Sequence, residues 1–187
     1  MKKVMLILLV VVFTSIVVIF LKNNIIQNEY PHLNENIYNF LQDKGKRTDV
    51  YNTSVKLNKG SSKNTCVYFL SEVLRKNNFS VPLETSNTEQ MISLLSDKGF
   101  KKQSNYKKLM SGDICFTTDA NGQQSGFPTH TYVFMKWVKE GSYDYAYICD
   151  NQAKDYKGKI YHIRNINITV KSNGLAKDPF AFFMRKA

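Results

Sequence analysis

Cys66 opens the stretch "NTCVYFLSEVL", residues 64–74. Cys66, Val67, Phe69, Leu70, Val73 and Leu74 recur at helical spacing, which predicts an amphipathic helix with the cysteine in its first turn. Asn64 is the natural N-cap of that helix. A thiol there feels the positive end of the helix dipole and, beside a histidine, loses its proton readily. That is a seat for a nucleophile, and a nucleophile needs a base.

The chain has three histidines. His32 falls in a polar segment and His162 in "KIYHIRN". His130 opens the strand-like "HTYVFMKWV" directly after "GFP". Any one of them is ordinarily a structural residue; His130 stands out for what lies opposite. "KEGS" signals a hairpin between residues 130–138 and 144–151. A three-residue loop with Gly141 as its bulge sets 138 against 142 and brings Asp150 opposite His130. A two-residue loop puts Asn151 there instead. Either side chain would hold the imidazole in one tautomer. The common three-residue turn favours Asp150, and strand termination alone would also account for "CDNQ".

Those residues need elements to position them. "NENIYNFLQDKGK" has helical spacing, with Asn34 as cap and Gly45 as stop. Residues 46–63 show no sustained period and read as a loop. Asn87 and Gln90 suggest a capping box for a further helix, whose apolar face is Met91, Ile92 and Leu95 and which ends at Gly99. "SGDICFTT", "THTYVFMKWV", "YDYAYICD", "KIYHIRNINITV" and "DPFAFFMRKA" follow as strands. Helices first and strands after, with turns too short for crossover helices, predict an α+β fold with a small antiparallel sheet.

The quoted stretches "NTCVYFLSEVLRKNN", "LMSGDICF", "HTYVFMKWV" and "YAYICDNQ" resemble the papain-like amidases and peptidases that include the NlpC/P60 and CHAP families. The resemblance covers about residues 50–155. The separations of 64 residues from Cys66 to His130 and 20 from His130 to Asp150 are similar to those of CHAP domains. It implies Cys66 as nucleophile, His130 as base and Asp150 as orienting residue, with no cofactor and no metal. The fold implied is papain-like, and the substrate a bacterial peptidoglycan peptide or amide. The chain departs from the pattern before the cysteine. "KLNKGSSKNT" replaces the usual glycine- and tyrosine-rich lead-in, and no glutamine stands ready to complete an oxyanion hole. Asn64 or Asn58 would then supply the second donor beside the Cys66 N–H. The long segment "TTDANGQQSGFPT" is expected to shape the cleft.

Outside this core, "MKK" precedes the uncharged run 4–21. Its 18 residues would span about 27 Å as a helix, close to a bilayer core. No small-residue cleavage site follows, so an uncleaved signal anchor is favoured over a cleaved signal peptide. The sequence thus divides into an anchor at 1–21, a tether with a short helix at 22–45, and the catalytic domain at 46–187. That domain faces out of the cytoplasm from a single-pass membrane helix. The formal charge is +11, of which Lys2 and Lys3 supply two, leaving +9 on the exported part. Export argues against nucleic acid as the partner, so the charge suits peptidoglycan or another anionic wall polymer, or serves only solubility. Cys115 and Cys149 sit in apolar runs as small buried side chains, with a disulfide between them left open. Two other readings remain: a transglutaminase-like transferase with the same triad, and a catalytically idle surface-binding module.

Overall fold

The computed structural model describes residues 12–18, 30 and 32–186. Residues 12–18 are helical, and the rest of the apolar run 4–21 lies outside the described residues. Among the described residues no helix is long and apolar enough to cross a membrane. That corrects the expected fold, a papain-like domain preceded by one transmembrane helix. A span needs about 20 consecutive apolar helical residues to match the roughly 30 Å of a bilayer core. The described chain is an α+β domain.

Helix α1, Leu33–Gln42, buries Leu33, Ile37 and Leu41 along one stripe. His32, at φ 65°, takes the N-cap position that the sequence suggested for Asn34. Asn34 instead lies inside the helix and donates from Nδ2 to Asp113 Oδ1 at 2.8 Å. Gly45 does not stop the helix. Asp43 breaks the chain into extended conformation and accepts from the Lys46 N–H at 2.9 Å, starting α2, Lys44–Leu57. A loop was expected over that stretch. It is helical because its start is capped and because Arg47 Nη1 donates back to the Leu41 and Gln42 carbonyls at 2.5 and 2.7 Å. Only Val50 and Ser54 are buried on α2, too few to mark a helical period in the sequence. Position 46, where the sequence put the start of the domain, lies inside α2.

Helix α3, Cys66–Lys76, buries Val67, Phe69, Leu70, Val73 and Leu74 and packs on α2 and on the sheet. Helix α4, Thr88–Asp97, is capped by Asn87, whose side chain accepts from the Gln90 N–H at 2.9 Å. Gln90 reaches back to the Ser86 N–H at 2.9 Å. Gly99, at φ 86°, ends the helix in left-handed conformation.

Eight strands follow: β1 Phe100–Gln103, β2 Ile114–Thr117, β3 Thr131–Trp137, β4 Tyr145–Cys149, β5 Tyr161–Asn165, β6 Val170–Ser172, β7 Leu175–Lys177 and β8 Phe180–Lys186. Six form one antiparallel sheet in the order β1-β8-β2-β3-β4-β5, and β6 with β7 makes a separate ribbon. Strand alternation gives the sheet two apolar faces. Ile114, Phe116, Val133, Met135, Cys149 and Phe182 pack under the helices. Cys115, Tyr132, Phe134, Ala146, Ile148 and Phe183 form a second cluster on the opposite face.

The β3–β4 hairpin differs from the expected three-residue turn. Val138 donates to the Tyr145 carbonyl at 3.0 Å, so the connection runs over residues 139–144. Lys136 then pairs with Tyr147, but Phe134 pairs with Ile148, and a bulge at Met135 absorbs the shift. Continued toward the site, this register sets Asp150 opposite Tyr132 rather than His130. The slip is by two residues, so Asp150 stays on the His130 face.

Candidate active site

Three elements meet where α3 begins. Thr65 caps α3 with its backbone, its carbonyl accepting from the Phe69 N–H at 2.8 Å. Asn64 precedes it at φ 54°, a turn conformation rather than the cap the sequence suggested. The Thr65 hydroxyl donates to the Ser62 carbonyl at 2.7 Å and accepts from Asn151 Nδ2 at 2.8 Å. The start of α3 is thereby tied to the segment after β4. The tie places Cys66, partly exposed, as the first residue of the helix.

His130 stands at the mouth of β3 and is 7% exposed. Its backbone N–H donates to Thr117 Oγ1 at 3.0 Å, and its carbonyl accepts from the Thr117 N–H at 3.1 Å. Its Nε2 lies 2.9 Å from Asp150 Oδ2. Asp150 is fully buried, and its other oxygen accepts from the Gln152 N–H at 2.8 Å. An acceptor-only carboxylate requires the proton on Nε2, which leaves Nδ1 for Cys66. The Cys66 thiol is hydrogen-bonded to His130 and receives the Val67 and Thr131 backbone N–H groups.

The charges follow from these contacts. Burial pushes the Cys66 thiol up, but the hydrogen bond and charge of His130, with the two N–H groups, bring it below the ordinary value. Burial pulls His130 down, while Asp150 and Cys66 together raise it to about 9. Asp150 is held at about 2: burial raises it, and the neighbouring His162 and His130 with the Gln152 N–H outweigh that. Of those histidines, His162 is pulled below its ordinary value, first by burial. Its Nδ1 is 3.9 Å from Asp150 Oδ1 and 3.1 Å from the Lys159 carbonyl, and its ring stacks on Tyr156 at 3.5 Å. At neutral pH the cation against Asp150 is therefore His130. These contacts favour a thiolate–imidazolium pair backed by a carboxylate.

A cavity of about 180 Å³ opens on this pair. Its walls include Asn64, Asn151, Gln152, Arg164 and Asp178, and of the long segment before His130 only Thr129 takes part. Of the two suggested oxyanion donors, Asn58 is committed elsewhere. Its Nδ2 donates to the Ser61 and Lys63 carbonyls at 3.1 and 2.7 Å. Asn64 stands at the cavity beside Cys66, whose own N–H, in the first turn of α3, has no partner within the helix. Cys115 and Cys149 are free and buried on opposite faces of the sheet, with no disulfide between them. His32 lies at the surface beside Glu35, away from the cavity. Among the described residues no group of His, Cys, Asp and Glu is placed to hold a metal ion.

Asn151 and Arg164 take places in this site that differ from the sequence-based expectation. Asn151 was a rival for orienting His130; it fixes the start of α3 instead. Arg164 drew no notice, although "YHIRN" alternates His162 and Arg164 on one side of a strand. A buried cation there carries its own signal, because a guanidinium rarely enters a sheet face unpaired. Compared with protein-family models, curated proteins and solved structures, the chain matches none.

Proposed function

We propose that this chain is a cysteine hydrolase of amide or peptide bonds. The observation that carries the reading is His130, bound through Nε2 to buried Asp150 and hydrogen-bonded to the Cys66 thiol at the mouth of one cavity. The Cys66 thiolate attacks the carbonyl carbon, and the oxygen takes the charge. The Cys66 N–H and the Asn64 side chain are the donors available to that oxygen. His130 gives its proton to the departing nitrogen, the C–N bond breaks, and an acyl-thioester remains on Cys66. A water then loses a proton to His130 and attacks the thioester. The acid leaves, and the thiolate–imidazolium pair is restored. Asp150 keeps the proton on Nε2 and steadies the imidazolium throughout.

The resemblance to NlpC/P60 and CHAP enzymes favours bacterial peptidoglycan as the substrate, in a setting outside the cytoplasm. The +9 charge suits an anionic wall polymer as partner. The test is digestion of purified peptidoglycan by the chain at low and high salt, with the products identified by mass. Expected are new amine and carboxyl termini, released more slowly at high salt as attraction is screened. Incorporation of a dansyl-amine in place of hydrolysis assigns transfer instead. Neither reaction, with intact Cys66, overturns the enzyme reading.

A further inference from the structure

Arg164 is 3% exposed, yet two of its guanidinium nitrogens have no partner. Nη2 donates to the Asp178 carbonyl, while Nε and Nη1 are unsatisfied. The group lies over the Tyr132 ring at 5.7 Å and forms part of the wall of the cavity that holds Cys66 and His130. Neither neighbouring charged side chain forms an ion pair with it. Lys177 is engaged by Asp155 at 2.5 Å, and Asp178 Oδ2 accepts from Thr129 Oγ1 at 2.5 Å. A buried guanidinium that has given up water for a single carbonyl is costly unless something else satisfies it.

The same cavity carries the complementary shortage. Asn151 and Gln152 both line it, and their side-chain oxygens are buried acceptors without a donor. The Asn151 amide cannot turn to offer its nitrogen, because Nδ2 is held by Thr65 and Ser62. The walls therefore call for an anion against the guanidinium and for N–H donors beside it. A carboxylate next to an amide offers both. A phosphate ester offers no N–H, and a dianion would meet the Asp178 carboxylate. Cys66, His130 and Arg164 line one cavity, so the carboxylate and the scissile amide must lie close together in the substrate.

We propose that Arg164 is the carboxylate-binding residue of the substrate cavity, and that the amide cleaved at Cys66 is flanked by a free carboxylate. This rests on the reading of Cys66 as the nucleophile and narrows its substrates to acidic or carboxyl-terminal amides. A planar fork is the side chain suited to that contact, since it meets both oxygens at once.

Alkylation tests it without requiring turnover. Iodoacetate carries the carboxylate and iodoacetamide does not, so the ratio of their rates at Cys66 reports the subsite. The His130 imidazolium also draws the anionic reagent, so wild type is compared with Arg164→Gln. The ratio should fall about tenfold, and Arg164→Lys should restore it only in part. N-acetylglycine should slow labelling of wild-type Cys66 by iodoacetamide more than N-acetylglycinamide does. That arm needs no variant, and so decides the matter should Arg164→Gln fail to fold. Rapid labelling of Cys66 with an unchanged ratio and equal protection overturns the carboxylate subsite alone. Labelling of Cys66 by iodoacetamide no faster than Cys115 and Cys149 overturns the nucleophile as well.

Discussion

The mouth of the sheet and its interior each hold thiols, and they treat them oppositely. At the mouth, Cys66 starts a helix and faces an imidazolium, and its thiol is brought below the ordinary value. In the interior, burial pushes Cys115 and Cys149 well above it. Burial weighs first in all three. What separates them is the histidine: His130 faces the Cys66 sulfur, whereas Cys115, despite the Tyr132 hydroxyl and the Phe134 N–H, and Cys149 have no imidazolium beside them. Desolvation without a neighbouring imidazolium keeps a thiol protonated, whereas an imidazolium beside it favours the thiolate.

The comparison breaks most decisively at the sulfur itself. Cys66→Ala should lower turnover by at least about a thousandfold with little change in stability. Cys149→Ala should do the reverse, leaving the chemistry in place and costing about 1–2 kcal/mol from the cavity it opens under the helices. Turnover measured beside chemical denaturation checks both, and a stability loss for Cys66→Ala as large as that for Cys149→Ala would erase the contrast. Next in size is the reactivity gap. At neutral pH Cys66 should be alkylated about a hundredfold faster than Cys115 or Cys149 in the folded protein, read by peptide mass after timed quenching. Equal rates would mean that the mouth is no different from the interior.

Asp150→Asn should act through His130 and lower the rate about a hundredfold. The ion pair forms as pH rises past the depressed thiol pKa and is lost as His130 gives up its proton through about 9. Without the carboxylate the imidazolium is less stable, so the alkaline limb of the pH–rate profile should move to lower pH. An unmoved limb would show that Asp150 only packs the site. The smallest effect belongs to Asn151→Ala. It frees the start of α3 by removing two hydrogen bonds, to Thr65 and Ser62. A loss of about threefold to tenfold is expected, with the alkaline limb unchanged.

Residues whose role follows from a local pattern were readable before the fold was known. The helical period of 66–74 placed Cys66, and strand alternation kept Asp150 on the His130 face. The hairpin shows the limit of such reading. The three-residue turn was the wrong loop, and the pairing it implied is off by two. Asp150 reaches His130 diagonally, because a two-residue slip preserves the face and a one-residue slip would not. Helix α2 was invisible because its burial rests on Val50 and Ser54 alone. Strand β1, "FKKQ", carries two lysines and takes its register from pairing with β8. Arg164 belongs to the site through the Ala176–Asp178 segment folding over it, a long-range contact no local window contains.

The last strand has a consequence for the order in which the protein can be made. β8 lies between β1 and β2, so the sheet cannot be completed until residues 180–186 have been made. Arg185 then closes on the fully buried Asp113, with Nε at 2.7 Å from Oδ1, while Asn34 holds the same carboxylate from α1. During vectorial synthesis the nucleophile helix emerges long before the residues that complete the sheet beneath it. A nascent chain stalled short of Arg185 carries Cys66 and His130 but leaves Asp113 without its cation and β1 without its neighbour. The sheet that carries His130 is on this account completed only once residues 180–186 have been made.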